Sequence, residues 1–173
     1  SDVCSSDLEG RCFLPPVQPI FSQVFLYFPH RKSDFSITKR KAVIMLDFKK
    51  ILVPYDGSSH AKKALNQAIS LAQCSDGAEL YVATILNSTI PADDDPDQVD
   101  MAEVEKLIPE NIPHKVLLEM GEPVPMLLYL AGEIGADLII TGSRGRGALK
   151  SLFMGSVSSG ILKNAKCPVF IIK

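Results

Sequence analysis

The stretch FKKILVPYDGSS, residues 48 to 59, decides the fold class of this chain. Its apolar run Ile51-Leu52-Val53 is short and uninterrupted, which is typical of a strand buried on both faces of a parallel sheet. The turn Asp56-Gly57-Ser58 follows, and Ser58 or Ser59 is a candidate helix N-cap. Beyond it, apolar residues recur at helical spacing at Ala61, Ala64, Leu65, Ala68, Ile69 and Ala72. A buried strand, a turn and an amphipathic helix therefore predict the first half of a βαβ unit.

The same alternation continues to the end of the sequence. Further strands are predicted at Glu79–Leu86, His114–Met120, Asp137–Thr141 and Val169–Ile172. Helices are predicted around 101–107, from Pro123 to Ile134 and over 156–164, and the acidic stretch 87–100 is predicted to be a loop. Alternating strands and helices favour right-handed crossovers and an open five-stranded parallel sheet with helices on both faces. Such sheets bind ligands beyond the carboxyl ends of their strands, where the strand order reverses.

The composition excludes several classes of protein. Eighteen Lys and Arg against twenty Asp and Glu give a net charge of −2, which disfavours a dedicated nucleic-acid binder. No apolar run approaches the roughly 18 residues of a membrane-spanning helix. The four cysteines form no CxxC pair and the three histidines lie far apart, so neither a zinc framework nor a disulfide scaffold is indicated. We expect a cytoplasmic protein that binds neither nucleic acid nor membrane.

Residues 1–44 differ in character from the rest of the chain. They combine prolines, an aromatic patch at Phe21–Phe28 and the basic cluster Lys39–Lys41, without a lasting helical or strand period. A signal peptide is disfavoured because the apolar stretch is short, is interrupted by Gln23 and has no small-residue cleavage site after it. We expect the domain to cover residues 45–173, starting at Met45, and residues 1–44 to be a disordered or non-native extension.

A glycine-rich segment follows the fourth predicted strand: GSRGRGALKSLFMGSVSS, residues 142–159. It is not a P-loop, because Ala148-Leu149 stands where Lys-Ser/Thr is needed, and Lys150 breaks a GxGxxG pattern. Gly142 and Gly145 would allow the backbone to approach a ligand closely. Gly155-Ser156 opens the next helix, whose free N–H groups attract phosphate. The basic residues Arg144, Arg146 and Lys150 add local positive charge, so the segment predicts a phosphate site.

This segment resembles the ATP-binding members of the universal stress protein family, whose pattern G-x2-G-x9-G-[S/T] it matches at Gly142, Gly145, Gly155 and Ser156. The similarity spans about residues 47–173 and includes ILVPYDGS (51–58), GEP (121–123), ADLII (136–140) and CPV (167–169). It implies a Rossmann-like sheet of order 3-2-1-4-5, related to the adenine nucleotide alpha hydrolase-like fold. It also implies a bound adenine nucleotide, namely ATP, ADP or AMP, with Mg²⁺.

The resemblance implies a nucleoside side to this site. Asp56 is expected beside the ribose or the metal-bound phosphate, and Pro54 helps to shape the pocket. Ile85 is expected to contact adenine, and Thr141 and Gly142 to border the nucleoside. Two alternatives stay open: Asp56 is a turn or capping residue, or Ile85 belongs to the core. The predicted helix between the second and third strands is shorter than in the family, so adenine cover near Ile85 would be reduced.

The resemblance also implies a phosphate side. Gly145 and Gly155 are expected to pass close to the phosphates, and Ser156, Val157 and Ser158 to bind phosphoryl oxygens. No catalytic pair is evident near this segment, so an ATP-binding stress-response regulator is the first hypothesis. A slow ATPase or autophosphorylating enzyme, with Ser156 or Ser158 as acceptor, is the second. A nucleotide-free dimerisation module is the third.

A homodimer is expected through the strand 169–172. This strand is short and apolar, and as the last strand of the sheet it would present unpaired backbone groups to a second copy. Its family counterpart commonly forms the dimer contact. The alternative is a monomer whose edge is protected by Lys166 and Lys173.

Overall fold

The structure, a computed structural model, describes residues 48–75, 77–86, 99–146 and 154–173, together with the backbone of 24–27. Six strands are present in these ranges: β1 (Val24–Tyr27), β2 (Lys50–Pro54), β3 (Glu79–Leu86), β4 (His114–Met120), β5 (Leu138–Gly142) and β6 (Val169–Ile172). The helices in the same ranges are α1 (Ser59–Cys74), α2 (Met101–Lys106), α3 (Pro123–Ile134) and α4 (Ser156–Asn164). The longest of them, α1, has 16 residues, and none in the described ranges combines the length and apolarity that a membrane crossing requires.

All six strands form one sheet in the order β1-β6-β5-β2-β3-β4. Strands β2 to β6 are mutually parallel. In their own chain order they run 3-2-1-4-5, which confirms the predicted fold class. The strand order reverses between β2 and β5, so the carboxyl ends of these two strands mark the crevice where a ligand is expected.

Strand β1 was not predicted. It pairs antiparallel with β6, in the register Val24↔Ile172 to Tyr27↔Val169. The expectation that β6 is the last strand of the sheet is therefore wrong, because β1 occupies its outer side. The remaining residues of the 1–44 extension lie outside the described residues, and its origin stays a prediction.

Two apolar layers hold the sheet between the helices. Ile51 and Val53 face α1 and α2, and Leu52 faces α3 and α4, with all three side chains fully buried. This placement explains the uninterrupted apolar run, since burial on both faces leaves no polar position. Helix α1 begins after Ser58, whose Oγ accepts a hydrogen bond from the Ala61 N–H at 3.2 Å. The first predicted βαβ half-unit is thus present.

A carboxylate fixes β2 against β5 at the end of the sheet opposite the crevice. The Lys49 N–H donates to Asp137 Oδ2 at 2.8 Å, and the Lys50 N–H donates to Asp137 Oδ1 at 3.2 Å. These bonds satisfy main-chain donors just before and at the start of β2. They set the relative height of β2 and β5, and thereby of the loops that leave their other ends.

Candidate functional site

The candidate site lies where β2 and β5 end. The turn at residues 56–58 leaves β2, and the segment 143–146 leaves β5; we call these the β2 turn and the β5 loop. Residues 147–153, including Lys150, lie outside the described residues. The chain becomes described again at Met154, immediately before α4. The site therefore has three described walls, namely the β2 turn, the β5 loop and the amino end of α4.

Asp56 joins the first two walls. Its Oδ1 accepts the Ser58 N–H at 3.0 Å, and its Oδ2 accepts the Arg146 N–H at 3.2 Å. A second link runs from the Ser58 hydroxyl to the Arg144 carbonyl at 3.4 Å. Asp56 is thus a turn residue, as one alternative held, but it also holds the β5 loop. One carboxylate thus both stabilises the β2 turn and holds the β5 loop. The N-cap of α1 is Ser58 rather than Asp56.

The three glycines of the motif have different surroundings. A Cβ on Gly142 would lie 2.7 Å from the carbonyl carbon of His60 and 2.9 Å from its oxygen, so β5 packs directly on the backbone of α1. A Cβ on Gly145 would collide with Asp56 Oδ2. Close packing within the protein therefore explains both of these glycines, whether or not a ligand also approaches them.

Among the described residues, Gly155 has no comparable close packing around it. A Cβ there would find its nearest neighbours at 3.5 to 3.7 Å, which is ordinary contact, and they belong to residues 143–145. Its φ of −77° is open to any residue. The described part of the fold therefore accepts a side chain at this position. The methyl group would stand 3.7 Å from the Gly145 nitrogen, in the space between the β5 loop and α4.

The amino end of α4 is anchored to the β5 loop. The Gly155 N–H donates to the Ser143 carbonyl at 2.8 Å, and Gly155 supplies no side-chain cap. The first intrahelical bond in this turn is donated by Ser159, so the N–H groups of Ser156, Val157 and Ser158 have no partner within the helix. These donors and the helix dipole make the end of α4 suitable for an anion.

The serines around this helix end differ in what they can bind. Ser156 is exposed, whereas Ser158 is 1% exposed. The Ser158 hydroxyl lies within hydrogen-bonding distance of two carbonyl oxygens, that of Ser143 at 3.0 Å and that of Gly155 at 3.1 Å. In this structure it stabilises the loop rather than facing outward. Ser156 is the hydroxyl that solvent or a ligand can reach.

Ser143 is a site residue that sequence reasoning missed. It is 2% exposed, and its Oγ has no hydrogen-bond partner among the described residues. A buried hydroxyl without a partner costs free energy, so such groups call for an explanation. The available signal was its position: Thr141 and Ser143 are polar residues that alternate at the end of an otherwise apolar strand.

The predicted nucleoside side is partly assembled. Pro54 and Thr141 are buried at the ends of β2 and β5, the central strands of the crevice. Ile85, one strand further along, is half-buried and packs with the cluster beneath α3 and α4. It is a core contact in this structure, as the other alternative held. The acidic loop predicted to border it falls largely in residues 87–98, outside the described residues.

Positive charge surrounds the β2 turn. Partial burial lowers the pKa of His60, and the nearby Arg144 and Lys63 lower it further. Burial, reinforced by Asp56, raises the pKa of Tyr55. The Arg146 guanidinium lies against Gly57, whose φ of +77° requires glycine in the turn. In the described ranges no cluster of three His, Cys, Asp or Glu side chains is arranged for a metal ion.

Known proteins resemble this chain in both sequence and structure. The family model described as the universal stress protein family matches residues 47–173. A universal stress protein of Thermus aquaticus is 34% identical over 137 residues, covering 73% of this chain and 99% of that protein. Universal stress protein UspA from Lactobacillus plantarum has a TM-score of 0.62 at 22% identity, covering 73% of this chain and 99% of that one.

Two of the similar structures contain a nucleotide. A universal stress protein in complex with cAMP matches with a TM-score of 0.57 and 23% identity, covering 73% of this chain and 97% of that one. A universal stress protein family protein from Arabidopsis thaliana with AMP bound matches with a TM-score of 0.52 and 19% identity, covering 72% and 90%. At these identities the likeness is one of fold.

Proposed function

The chain belongs to the universal stress protein family, and from this premise we propose that it is a nucleotide-dependent regulator of the cytoplasmic stress response. Its ligand is an adenine nucleotide, ATP, ADP or AMP, and a polyphosphate is bound together with Mg²⁺. The observation that supports this most directly is Gly155. The described residues around it place no demand for glycine, whereas an anion held between the β5 loop and α4 would demand it.

The phosphate would sit at the amino end of α4. Main-chain N–H groups of Ser156, Val157 and Ser158 lack intrahelical partners, and they follow Gly155, where an added Cβ would lie 3.7 Å from the Gly145 nitrogen. Charge-assisted bonds from such donors contribute about 1.5 to 3 kcal/mol each. The exposed Ser156 hydroxyl adds a further donor. Ser158 contributes through its main chain, because its hydroxyl is directed to carbonyl oxygens.

The nucleoside would lie across the ends of β2 and β5, with Pro54, Thr141 and Gly142 as its walls. Asp56 would accept a ribose hydroxyl on the carboxylate that already accepts the Ser58 and Arg146 N–H groups, so a bound ribose would bear on the link between the β2 turn and the β5 loop. Ligand binding would thereby change the contact between the β2 turn and the β5 loop. Such a change is what a regulator needs, since a ligand acts through differences between two states.

A slow autophosphorylating activity is the second candidate. Of the two serines considered as acceptors, Ser156 is exposed at the helix end and Ser158 is buried with its hydroxyl engaged. Transfer of the γ-phosphoryl group from ATP to Ser156 Oγ would release ADP and the hydroxyl proton. Incubation with ATP followed by intact-mass measurement would show a single phosphate on the protein. Its loss in Ser156→Ala, but not in Ser151→Ala, would place it at Ser156.

We also propose that two copies associate through β6. Val169 and Ile171 anchor this strand in the core beneath α3 and α4. The N–H and C=O groups on its outer side can form a hydrogen-bonded ladder with one neighbouring strand. In a homodimer that neighbour would be the β6 of a second copy.

Calorimetric titration of the full chain with AMP, ADP and ATP, each with and without Mg²⁺, tests the nucleotide proposal. Saturable binding of at least one nucleotide is expected, with no comparable binding of the uncharged nucleoside adenosine. Absence of saturable heat for all three nucleotides would refute the proposal. Equal affinity for adenosine would refute the phosphate role of α4.

The His60 imidazole offers a second measurement by NMR. Its pKa is lowered by partial burial and by Arg144, and bound phosphate would offset that positive charge. The pKa of His60 is therefore expected to rise when nucleotide binds. His114 begins β4 at the opposite end of the sheet and provides a reference imidazole remote from the site. An unchanged His60 titration at saturation would place the phosphate elsewhere.

A further inference from the structure

The outer side of β6 is occupied by the chain itself. Strand β1 runs antiparallel to β6 with four residue pairs in register, from Val24↔Ile172 to Tyr27↔Val169. The four residues of β1, VFLY, are all β-branched, aromatic or aliphatic. A strand of this composition can complete a sheet edge that would otherwise present a row of unpaired donors and acceptors.

The direction of β1 suits an intramolecular connection. Because β1 is antiparallel to β6, Tyr27 lies beside Val169 at the amino end of β6, the end of the sheet at which β2 begins. Three strand spacings, about 14 Å, separate β1 from β2 across the sheet. The 22 residues numbered 28 to 49 connect them, and a fully extended chain of this length reaches about 73 Å. The connection can therefore be made without strain.

We propose that Val24–Tyr27 is an intramolecular edge strand that competes with a second copy of the chain for β6. This inference rests on the part of the proposed function that places a homodimer contact at β6. One β6 edge accepts one neighbouring strand, so pairing with β1 and pairing with another β6 exclude each other. A chain in which β1 is paired is thus held in the monomeric form.

Tethering favours β1 in this competition. A strand that belongs to the same chain as its partner acts at an effective concentration of about millimolar order. A second copy present at micromolar concentration meets the same edge about a thousandfold less often. Pairing of only moderate intrinsic strength is then sufficient to keep most chains closed. Before two copies can pair through β6, β1 must leave β6 in each of them. The free-energy cost of releasing β1 is therefore paid twice for each dimer.

The test breaks the β1 ladder without removing the segment. In the full chain, the double variant Phe25→Pro/Leu26→Pro removes two adjacent N–H groups, one of which points toward β6, because successive residues of a strand point to opposite sides. The matched control, Ser33→Pro/Asp34→Pro, places two adjacent prolines in the same segment outside β1. Sedimentation velocity across the micromolar range measures association, and nucleotide titration of each variant monitors the domain.

The unaltered chain and the control are expected to be largely monomeric. The Phe25→Pro/Leu26→Pro variant is expected to dimerise more tightly, with a dimer dissociation constant at least about tenfold lower than theirs. Equal dimerisation of all three would overturn the inference and leave the β6 dimer standing. If neither the unaltered chain nor either variant forms dimers, both the competition inference and the proposed β6 dimer are overturned. In either case nucleotide binding is judged by its own titration, so the two failures are distinguishable.

Hydrogen exchange supplies a measurement that needs no variant. Peptides of the unaltered chain that include residues 24–27 should exchange more slowly than an unstructured segment if β1 is paired. Exchange at the unprotected rate in the monomer would overturn the inference directly. This holds whether or not the proline variant folds.

Discussion

Replacing Gly155 by alanine should distinguish an effect on nucleotide affinity from an effect on the stability of the fold. The added methyl group would meet no atom of the described residues closer than 3.5 Å, at a φ of −77° that alanine adopts freely. Loss of glycine as N-cap costs about 0.5 to 1 kcal/mol, and the smaller entropy of the unfolded chain returns about 0.4 to 1 kcal/mol. The free energy of unfolding should therefore change by less than about 1 kcal/mol.

Nucleotide binding should respond much more strongly to the same substitution. The methyl group would stand 3.7 Å from the Gly145 nitrogen, between the β5 loop and the amino end of α4. Displacing a phosphate from even one charge-assisted main-chain bond costs about 1.5 to 3 kcal/mol. At about 1.4 kcal/mol for each factor of ten, the affinity should fall by roughly 10- to 100-fold.

Gly142→Ala provides the matched comparison. Its Cβ would lie 2.7 Å from the His60 carbonyl carbon, a backbone atom that cannot rotate away. Overpacking of this kind costs about 1 to 3 kcal/mol, so this variant should lose stability. Urea unfolding and calorimetric titration of both variants measure the two effects. Unchanged affinity in Gly155→Ala, or a larger loss of stability there than in Gly142→Ala, would refute the reasoning.

Two predictions concern stability alone. Gly160→Ala should destabilise the protein by about 1 to 3 kcal/mol, because its Cβ would lie 2.7 Å from a Val124 methyl group on α3. Gly132→Ala, whose Cβ would have no atom of the described residues within 4 Å, should instead stabilise it by about 0.5 to 1 kcal/mol. Thermal unfolding checks the pair, and the same sign for both would contradict the packing argument. Tyr81→Phe removes the hydroxyl that donates to Glu79 at 2.6 Å and is the main reason why the pKa of Glu79 lies below its ordinary 4.5. The ionised form of Glu79 is favoured in the folded state, so the stability deficit of Tyr81→Phe should be full at neutral pH and should shrink as pH falls below about 4.5; a deficit independent of pH would exclude this cause.

The five parallel strands were predictable because each is specified locally. Ile51-Leu52-Val53 has no polar position, and Ser58 caps the helix that follows. Burial on both faces and a local cap leave little for tertiary context to decide. Strand β1 is the opposite case. Four apolar residues have no period that distinguishes strand from helix or coil, and only the presence of β6 beside them makes a strand.

The strand ends that carry the candidate site were predictable from the sequence, but the contacts of each residue there were not. The sequence spacing placed Gly142 and Gly155 near the carboxyl ends of the central strands. It could not show that packing against α1 requires glycine at 142, whereas the described contacts at 155 do not. That distinction depends on the backbone of His60, which is distant in sequence. Likewise, Ser158 matches a phosphate-binding pattern while its hydroxyl is directed to carbonyl oxygens. Ser143, which no pattern singles out, has the buried hydroxyl without a partner in the described ranges.

The same contacts indicate how a bound nucleotide would affect the structure beyond the site. Gly142 packs on the first turn of α1, and Asp56 connects the start of that helix to the β5 loop through the Arg146 N–H. The β5 loop in turn holds the amino end of α4 through the Ser143 carbonyl. A ligand that displaces the Asp56 contact therefore acts on both helices at once. Because β6 follows α4 in the chain and pairs with β5, a shift of α4 on binding would reach the strand for which β1 and a second copy are proposed to compete.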